Sequence, residues 1–260
     1  MHPSLHTMLL NQGRIAMPDM KLDDVTIHYE EVGSGPLAYV FCPGLGGDGQ
    51  GFVEHFSLWH QHFPRVISWD NRGAGQSSEA AKYNLPLCAG DLDGLLDKLG
   101  VEKAILHGVS WGGVVVQQFA LDHLEKCAAI ILDSTSSEVN LAASEGWYKR
   151  GETARQGTVQ QPETQVLPEH LDSYVANARA IAGLREHPFT PRLKHITCPA
   201  LVVAGGQDAT AGVGGSVILS RNLPTSRLEI FQDSGHSVVR HKRDEFLNLT
   251  LEFCHGHGII

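Results

Sequence analysis

The sequence predicts an α/β protein with a mostly parallel β-sheet, helices on both faces of the sheet and a small helical insertion. Three observations lead to this prediction. Short runs rich in Ile, Val and Leu recur along the chain, segments with helical spacing separate them, and one polar segment interrupts the alternation. Nearly continuous apolar strands are typical of parallel sheets covered by helices on both faces. A length of 260 residues accommodates one large domain of this kind with an insertion.

The predicted elements follow one another in a regular order. Strands are expected at residues 25–32, 37–42, 65–69, 103–106, 128–132, 201–204 and 227–231. The first of them mixes polar and apolar residues, as an edge strand does. Between residues 87 and 99 the leucines follow the i, i+3, i+4, i+7 spacing of an amphipathic helix, which Gly100 ends. Residues 114–120 predict a second, more apolar helix.

The polar segment divides the chain into a core and a cap. It contains no strand-like run, but residues 141–155 and 169–181 have helical character. We interpret the segment as a small helical cap over the ends of the strands. The predicted domain organisation is a core α/β domain formed by residues 1–133 and 192–260, with the cap at residues 134–191.

Charge and composition exclude several classes of partner. The chain has 20 basic and 29 acidic residues, a formal net charge of −9, and no basic block or stripe. We therefore expect no nucleic-acid partner and no association with an anionic membrane surface. No apolar run has the length of a membrane span. The sequence leaves the oligomeric state open.

The cysteines and the first twenty residues indicate a cytoplasmic location. The five cysteines are odd in number and widely spaced, which favours free buried thiols in a reducing compartment. The first twenty residues lack the basic stretch and apolar run of a secretory signal. Residues 254–257, Cys-His-Gly-His, have the side chains of metal ligands, but without a fourth ligand in view we interpret them as a frayed tail and predict no metal site.

Ser110 is the first candidate catalytic residue. It lies in the sequence Gly-Val-Ser-Trp-Gly at residues 108–112, between a strand-like run and a helix-like run. A serine on a sharp strand-to-helix turn presents its hydroxyl above the sheet, and the glycines avoid collisions with the neighbouring strand and helix. Ser110 is therefore predicted to be a nucleophile.

A serine nucleophile requires a base, and the base requires an acid that orients it. In proteins with this turn, the expected chain order is Ser, then Asp or Glu, then His. Asp208 and His236 follow the last two predicted strands, and the carboxyl ends of parallel strands are where open α/β sheets bind ligands. Asp133 is the alternative acid, although we expect it to cap the start of the insertion. We expect Asp233 to order the loop at residues 232–237 that carries His236, which we call the histidine loop.

Two backbone amides are predicted to stabilise an oxyanion. One is the N–H of Trp111, directly after the nucleophile. The other is the N–H of Leu45, in the glycine-rich loop at residues 43–47. The same region has an alternative interpretation, because residues 44–49 match Gly-x-Gly-x-x-Gly and Asp70 follows about twenty residues later, as in dinucleotide-binding proteins.

Three large aromatic residues of the cap are candidates for lining a substrate pocket. They lie on the two predicted helices of the insertion and are Trp147, Tyr148 and Tyr174. The alternative is that they pack the cap onto the core. The insertion is short and carries few apolar residues, which favours a small substrate over a long acyl chain.

The order of five motifs resembles the α/β-hydrolase superfamily. They are Pro43-Gly44-Leu45-Gly46-Gly47, the Asp-x-Arg-Gly-x-Gly-x-Ser stretch at residues 70–77, Gly-x-Ser-x-Gly, Gly206-Gln207-Asp208 and Ser234-Gly235-His236. Within the superfamily, the chain is similar to small capped serine esterases and to 3-oxoadipate enol-lactonase-like proteins. It departs from the family where Pro43 replaces a frequent histidine and where no proline follows Asp208. Asp70 and Arg72 are expected to brace each other and the neighbouring turns.

The predicted function is hydrolysis of a small-molecule carboxylic ester or lactone. Ser110, His236 and Asp208 would act as a catalytic triad through an acyl-enzyme, without a metal or organic cofactor. Three alternatives stay open: C–C bond hydrolysis or perhydrolysis by the same triad, a non-catalytic small-molecule receptor of the same fold, and dinucleotide binding.

Overall fold

The computed structural model describes residues 18–157 and 166–260. The expectations about a secretory signal in the first 17 residues and about residues 158–165 of the cap lie outside the described residues.

The centre of the molecule is an eight-stranded sheet with the order β1-β2-β4-β3-β5-β6-β7-β8. The antiparallel pairs are β1 with β2 and β2 with β4, and all other neighbours are parallel, as the sequence predicts. The strands are β1 (Asp19–Lys21), β2 (Thr26–Gly33), β3 (Leu37–Cys42), β4 (Arg65–Trp69), β5 (Lys103–Val109), β6 (Cys127–Asp133), β7 (Ala200–Gly205) and β8 (Ser226–Phe231).

Helices follow most of the strands. In the described part of the chain they are α1 (Val53–Trp59), α2 (Leu85–Lys98), α3 (Trp111–Asp122), α4 (Leu141–Arg155), α5 (Leu171–Gly183), α6 (Gly212–Asn222), α7 (Val238–His241) and α8 (Arg243–Gly256). The amphipathic helix predicted at residues 87–99 is α2. It begins two residues earlier because the side chain of Asn84 accepts a hydrogen bond from the Leu87 amide and caps the first turn.

Two apolar cores lie on opposite faces of the sheet. Successive residues of a strand point to opposite faces, and β3 shows this directly: Val40 packs in one core, whereas Tyr39 and Phe41 pack in the other. Helices α2 and α3 cover the first face, and α1 and α8 cover the second. This arrangement leaves the carboxyl ends of the parallel strands free to carry the loops of a site.

The helices α4 and α5 lie between β6 and β7 in the chain and pack against each other. They match the two helical stretches predicted for the insertion, with α5 starting two residues later after a short turn at Pro168–His170. Tyr174, Val175 and Ala154 form a small apolar cluster between them. The division into core and cap remains a prediction.

Two features differ from the sequence-based expectations. The three-residue strand β1 pairs with β2, so the predicted first strand is not the edge of the sheet. The segment Cys-His-Gly-His is not a frayed tail, because α8 extends to Gly256 and the Cys254 side chain is fully buried in the second core. Among the described residues, no helix combines the length and apolar character needed to cross a membrane.

Candidate active site

Ser110 occupies the turn between β5 and α3. Its backbone adopts φ 54° and ψ −115°, a conformation that non-glycine residues rarely adopt. The neighbouring glycines make this turn possible. A Cβ atom at Gly108 would come within 2.5 Å of the Gly112 backbone, and one at Gly112 would collide with the carbonyl of Cys42. The turn therefore has the geometry that presents a serine hydroxyl at the end of a strand.

Asp208 and His236 lie on the loops after β7 and β8. The Nδ1 atom of His236 is 2.8 Å from Oδ2 of Asp208, while Oδ1 of Asp208 accepts hydrogen bonds from the amides of Thr210 and Ala211 at 2.8 and 2.9 Å. Burial alone would raise the pKa of Asp208. The hydrogen bond and charge of His236, together with the two amides, lower that pKa below its ordinary value. Asp208 is therefore held as a carboxylate beside the imidazole.

Ser110 lines two cavities. The first, of about 500 Å³, is also lined by Leu45, His236 and two arginines, Arg150 and Arg240, and we call it the arginine-lined cavity. The second, of about 520 Å³, we call the hydroxyl-lined cavity, because its wall includes the following hydroxyl side chains: Ser134, Thr135, Ser136 and Thr210. Both volumes lie in the range of small-molecule sites. The structure thus brings Ser110 and His236 to one shared space.

The two proposed oxyanion donors each lie beside one of the two cavities that Ser110 lines. Leu45 lines the arginine-lined cavity, and Trp111 lines the hydroxyl-lined cavity. Trp111 is the first residue of α3, so its amide has no partner within the helix. Neither amide donates a hydrogen bond to another residue of the described chain. Both amides are thus available to bind a negatively charged oxygen.

The three aromatic candidates of the cap have different surroundings. Trp147 lines both cavities next to Ser110. Tyr148 is 52% exposed, with the guanidinium of Arg179 over its ring, and it lines neither cavity. Tyr174 is buried in the cluster between α4 and α5, where its hydroxyl accepts a 2.7 Å hydrogen bond from Arg150, and it also lines neither cavity.

Asp133, the alternative acid, contacts the histidine loop rather than the start of the insertion. Its fully buried carboxylate accepts hydrogen bonds from the amides of Val238 and Val239, each at 3.1 Å, and from the Ser134 hydroxyl at 2.9 Å. The expected capping of the insertion is therefore wrong. The carboxylate caps α7, the short helix directly after His236.

Asp70 braces two neighbouring turns, whereas Arg72 pairs with a residue of α2. Both carboxylate oxygens of the buried Asp70 accept backbone hydrogen bonds, one from Gly49 at 2.6 Å and one from Gln76 at 2.7 Å. Asp70 is therefore not available for a ribose, which argues against the dinucleotide interpretation. The expectation that Arg72 pairs with Asp70 is wrong, because its guanidinium instead donates two hydrogen bonds to Asp91, at 2.6 and 2.7 Å.

The histidine loop has a second, peripheral attachment. Asp233 lies 2.5 Å from the ammonium of Lys242, and this ion pair connects the loop to the start of α8. Asp233 is exposed, whereas Asp133 is fully buried. The inner attachment through Asp133 is therefore the better shielded of the two.

Sequence reasoning missed the two arginines of the cavity. Arg150 is three residues after Trp147 on α4, and its guanidinium carbon lies 5.1 Å from the centre of the Trp147 ring. Because residues three apart on a helix are neighbours on its surface, the pocket candidate Trp147 could have predicted that Arg150 also faces the cavity. Arg240 lies on α7, four residues after His236, with its guanidinium 5.6 Å from the centre of the Phe52 ring. The described residues contain no cluster of three or more potential metal ligands.

Comparison with known proteins places the chain in a family. The family model for the alpha/beta hydrolase fold matches residues 40–180, more than half of the chain. The chain therefore belongs to the α/β-hydrolase fold family, and its fold is the one that the sequence motifs predicted.

Individual relatives show the same likeness over nearly the whole chain. A Caulobacter vibrioides protein, provisionally named carbamate hydrolase RutD, is 34% identical over 264 residues, covering 88% of this chain and 96% of that protein. The 3-oxoadipate enol-lactonase 2 of Acinetobacter baylyi is 26% identical, covering 83% and 88%. The crystal structure of the enol-lactonase from Burkholderia xenovorans LB400 superposes with a TM-score of 0.79 at 23% identity, covering 91% and 99% of the two chains.

Proposed function

We propose that this protein is a serine hydrolase that cleaves a small carboxylic ester or lactone through an acyl-enzyme. One observation carries the proposal: Ser110 and His236 line the same cavity, and Asp208 binds the Nδ1 side of the imidazole. With Nδ1 directed at Asp208, the Nε2 atom of His236 is left to accept a proton. This is the division of labour that serine hydrolysis requires.

The reaction begins when His236 removes the proton of the Ser110 hydroxyl. The serine oxygen attacks the substrate carbonyl, and the amides of Leu45 and Trp111 bind the oxyanion that forms. Each such donor typically contributes about 3 kcal/mol of transition-state stabilisation. His236 then protonates the leaving alkoxide, which leaves the acyl group on Ser110.

Water completes the cycle. His236 takes a proton from a water molecule, the hydroxide attacks the acyl carbonyl, and His236 returns the proton to the Ser110 oxygen as the bond to the acyl group breaks and the carboxylic acid leaves. Asp208 remains ionised throughout, because its pKa lies below the ordinary value. Its negative charge stabilises the imidazolium in both halves of the reaction.

The cavity favours a substrate that carries a negative charge. Arg150 and Arg240 are two of its lining residues, and no described lining residue is acidic. The net charge of the whole chain is −9, so the basic lining of this cavity differs from the acidic balance of the chain as a whole. We propose that the preferred ester or lactone carries a carboxylate, which the guanidinium group of Arg240 binds.

The relatives support two candidates for the bond that is cleaved. The similarity to the Acinetobacter enol-lactonase supports a lactone, whereas the 34% identity to the Caulobacter protein favours a carbamate as the second candidate. The same triad could cleave either bond, because both reactions pass through a tetrahedral oxyanion.

A panel of substrates tests the proposal, with Ser110→Ala as the control. The panel contains p-nitrophenyl acetate, butyrate and octanoate, a p-nitrophenyl ester with a free carboxylate, a lactone, a carbamate and a vinylogous diketone. We expect serine-dependent turnover of the esters, with preference for short and carboxylate-bearing chains. Serine-dependent turnover of the diketone or the carbamate alone would refute ester specificity. If the folded protein turned over no substrate of the panel, the proposal that it is a hydrolase would be refuted.

A further inference from the structure

Unusual backbone conformations concentrate at the candidate active site. Among the described residues, three that are not glycine have positive φ angles: Ser110 at 54°, Ser134 at 55° and Ser237 at 63°. Such conformations are costly for residues with a side chain and persist only where surrounding contacts hold them. Ser110 is the proposed nucleophile, Ser237 follows the proposed base, and Ser134 belongs to neither loop.

Ser134 and its neighbour Asp133 connect the other two positions. The carbonyl oxygen of Asp133 accepts a 2.9 Å hydrogen bond from the Ser110 amide. The hydroxyl of Ser134 accepts a 3.0 Å hydrogen bond from the Ser237 amide and donates one to the carboxylate of Asp133. Two consecutive residues at the end of β6 thus bind the backbone of both the nucleophile turn and the histidine loop.

The carboxylate of Asp133 extends this contact beyond Ser237. It accepts the amides of Val238 and Val239, so three successive amides after His236 are bound by the side chains of Asp133 and Ser134. Both side chains are fully buried. A buried carboxylate is retained at low cost only when donors satisfy it, and here three donors do so.

We propose that Asp133 and Ser134 are positioning residues that set the distance and orientation of His236 relative to Ser110. This inference rests on the proposed function of Ser110 and His236. The carboxyl end of β6 acts as a rigid spacer, because it is a central strand paired with β5 and β7. Loops that carry catalytic groups require such support, since a displacement of about 1 Å can reduce turnover about 10²-fold.

Positioning accounts for Asp133 better than a role as the triad acid. The Nδ1 atom of His236 is already bound by Asp208, and the Asp133 carboxylate has its own three donors. The buried His107 approaches Asp133 only to 3.9 Å, too far for a hydrogen bond. Asp133 therefore acts on His236 through the backbone and not through its ring.

Asp133→Asn and Ser134→Ala test this inference, with Asp91→Asn as the matched control. Asparagine preserves the size of Asp133, but its NH₂ group faces an amide donor, so one of the two bonds to α7 is lost. Asp91 is another buried carboxylate, which pairs with Arg72 away from both cavities. Three quantities are measured for each variant: kcat and KM across pH, the labelling rate of Ser110 by a fluorophosphonate, and the melting temperature.

We expect Asp133→Asn to lower kcat and the labelling rate about 10²-fold with little change in KM, and Ser134→Ala to lower them about fivefold to tenfold. The midpoint of the pH profile should stay at its wild-type value, because Asp208 is intact. Asp91→Asn should lower only the melting temperature. Ser134→Ala removes one acceptor, so it keeps the test decisive if Asp133→Asn does not fold.

Two results would overturn the positioning role. One is a lower melting temperature in Asp133→Asn and Ser134→Ala with no change in kcat or in the labelling rate of Ser110, as is expected for the control. The other is a shifted pH midpoint in Asp133→Asn that matches the shift in Asp208→Asn, because that would make Asp133 the acid. The labelling rate separates this inference from the proposed function: it reports the reactivity of Ser110 even if no ester is turned over.

Discussion

The hydrogen bond between His236 and Asp208 joins two loops that are 28 residues apart in the chain, at a distance of 2.8 Å. The loops meet because they follow the neighbouring parallel strands β7 and β8. The Asp208 carboxylate is fully buried, whereas 30% of the His236 side chain is exposed, towards the cavity shared with Ser110. The buried acid is therefore shielded from solvent, while the base that it binds stays accessible from the cavity.

Replacing Asp208 by asparagine should remove the charge while preserving the shape of the loop. We expect kcat for a p-nitrophenyl ester to fall about 10³- to 10⁴-fold, because the imidazole tautomer is no longer fixed and the imidazolium is no longer stabilised. Steady-state kinetics measures this loss, and circular dichroism checks that the variant is folded. A folded Asp208→Asn enzyme with kcat near the wild-type value would show that another residue is the acid.

The contrast between Trp147 and Tyr148 provides a matched test of the cap. Trp147 lines both cavities, whereas its neighbour is exposed and lines neither. Trp147→Ala should change KM for esters of different chain length by about tenfold or more, because it enlarges the space next to Ser110. Tyr148→Ala should leave each KM within about twofold of the wild-type value. Equal effects of the two substitutions would refute a direct contact between Trp147 and the substrate.

Arg240 should select for negatively charged substrates. Arg240→Met keeps part of the aliphatic side chain over Phe52 but removes the charge. We expect KM for a p-nitrophenyl ester with a free carboxylate to rise about tenfold, and KM for p-nitrophenyl acetate to stay unchanged, since a hydrogen bond to a charged group contributes about 1.5–3 kcal/mol. High salt should weaken the preference of the wild-type enzyme. An equal rise for both esters would show that Arg240 has no role in charge recognition.

The fold and the proximity of Ser110, Asp208 and His236 were predictable from the sequence, because they depend on local patterns and on chain order. Apolar runs specify the parallel strands, and a glycine–serine–glycine turn specifies the position of Ser110. The contacts of Asp133 were not predictable in this way. Its partners Val238 and Val239 are more than 100 residues away, and no local pattern records which loop a buried carboxylate will meet.

The sequence patterns also could not predict which aromatic residue of the cap is exposed, or that β1 forms a strand. Trp147 and Tyr148 are adjacent aromatic residues of one helix, and only the packing of α4 determines which of them faces the cavity. Similarly, β1 is a three-residue strand with two exposed side chains, so it lacks the apolar run by which the other strands are recognised.

A buried carboxyl on β2 should make stability depend on pH. Glu30 is fully buried and accepts a 3.0 Å hydrogen bond from Ser68. Burial and the nearby Asp70 raise the pKa of Glu30 from 4.5 to about 7. Because the folded state holds this proton more tightly than the unfolded state, the stabilisation is complete below pH 4.5 and is lost as pH rises to about 7.

Glu30→Gln should remove this dependence. Relative to wild type, the free energy of unfolding of the variant should increase by about 3 kcal/mol between these two pH values. Denaturant unfolding at a series of pH values from 4.5 to 8 measures the difference. A difference that is constant over this range would show that Glu30 has the same pKa in the folded and unfolded states.

The role of Ser110 as nucleophile is tested most directly by labelling the protein with a fluorophosphonate and locating the adduct by mass spectrometry while p-nitrophenyl butyrate hydrolysis is followed. We expect one adduct, on Ser110, a loss of hydrolysis in proportion to labelling, and neither labelling nor hydrolysis in folded Ser110→Ala. Hydrolysis that persists after complete labelling, or that Ser110→Ala retains at the wild-type rate, would show that Ser110 is not the nucleophile.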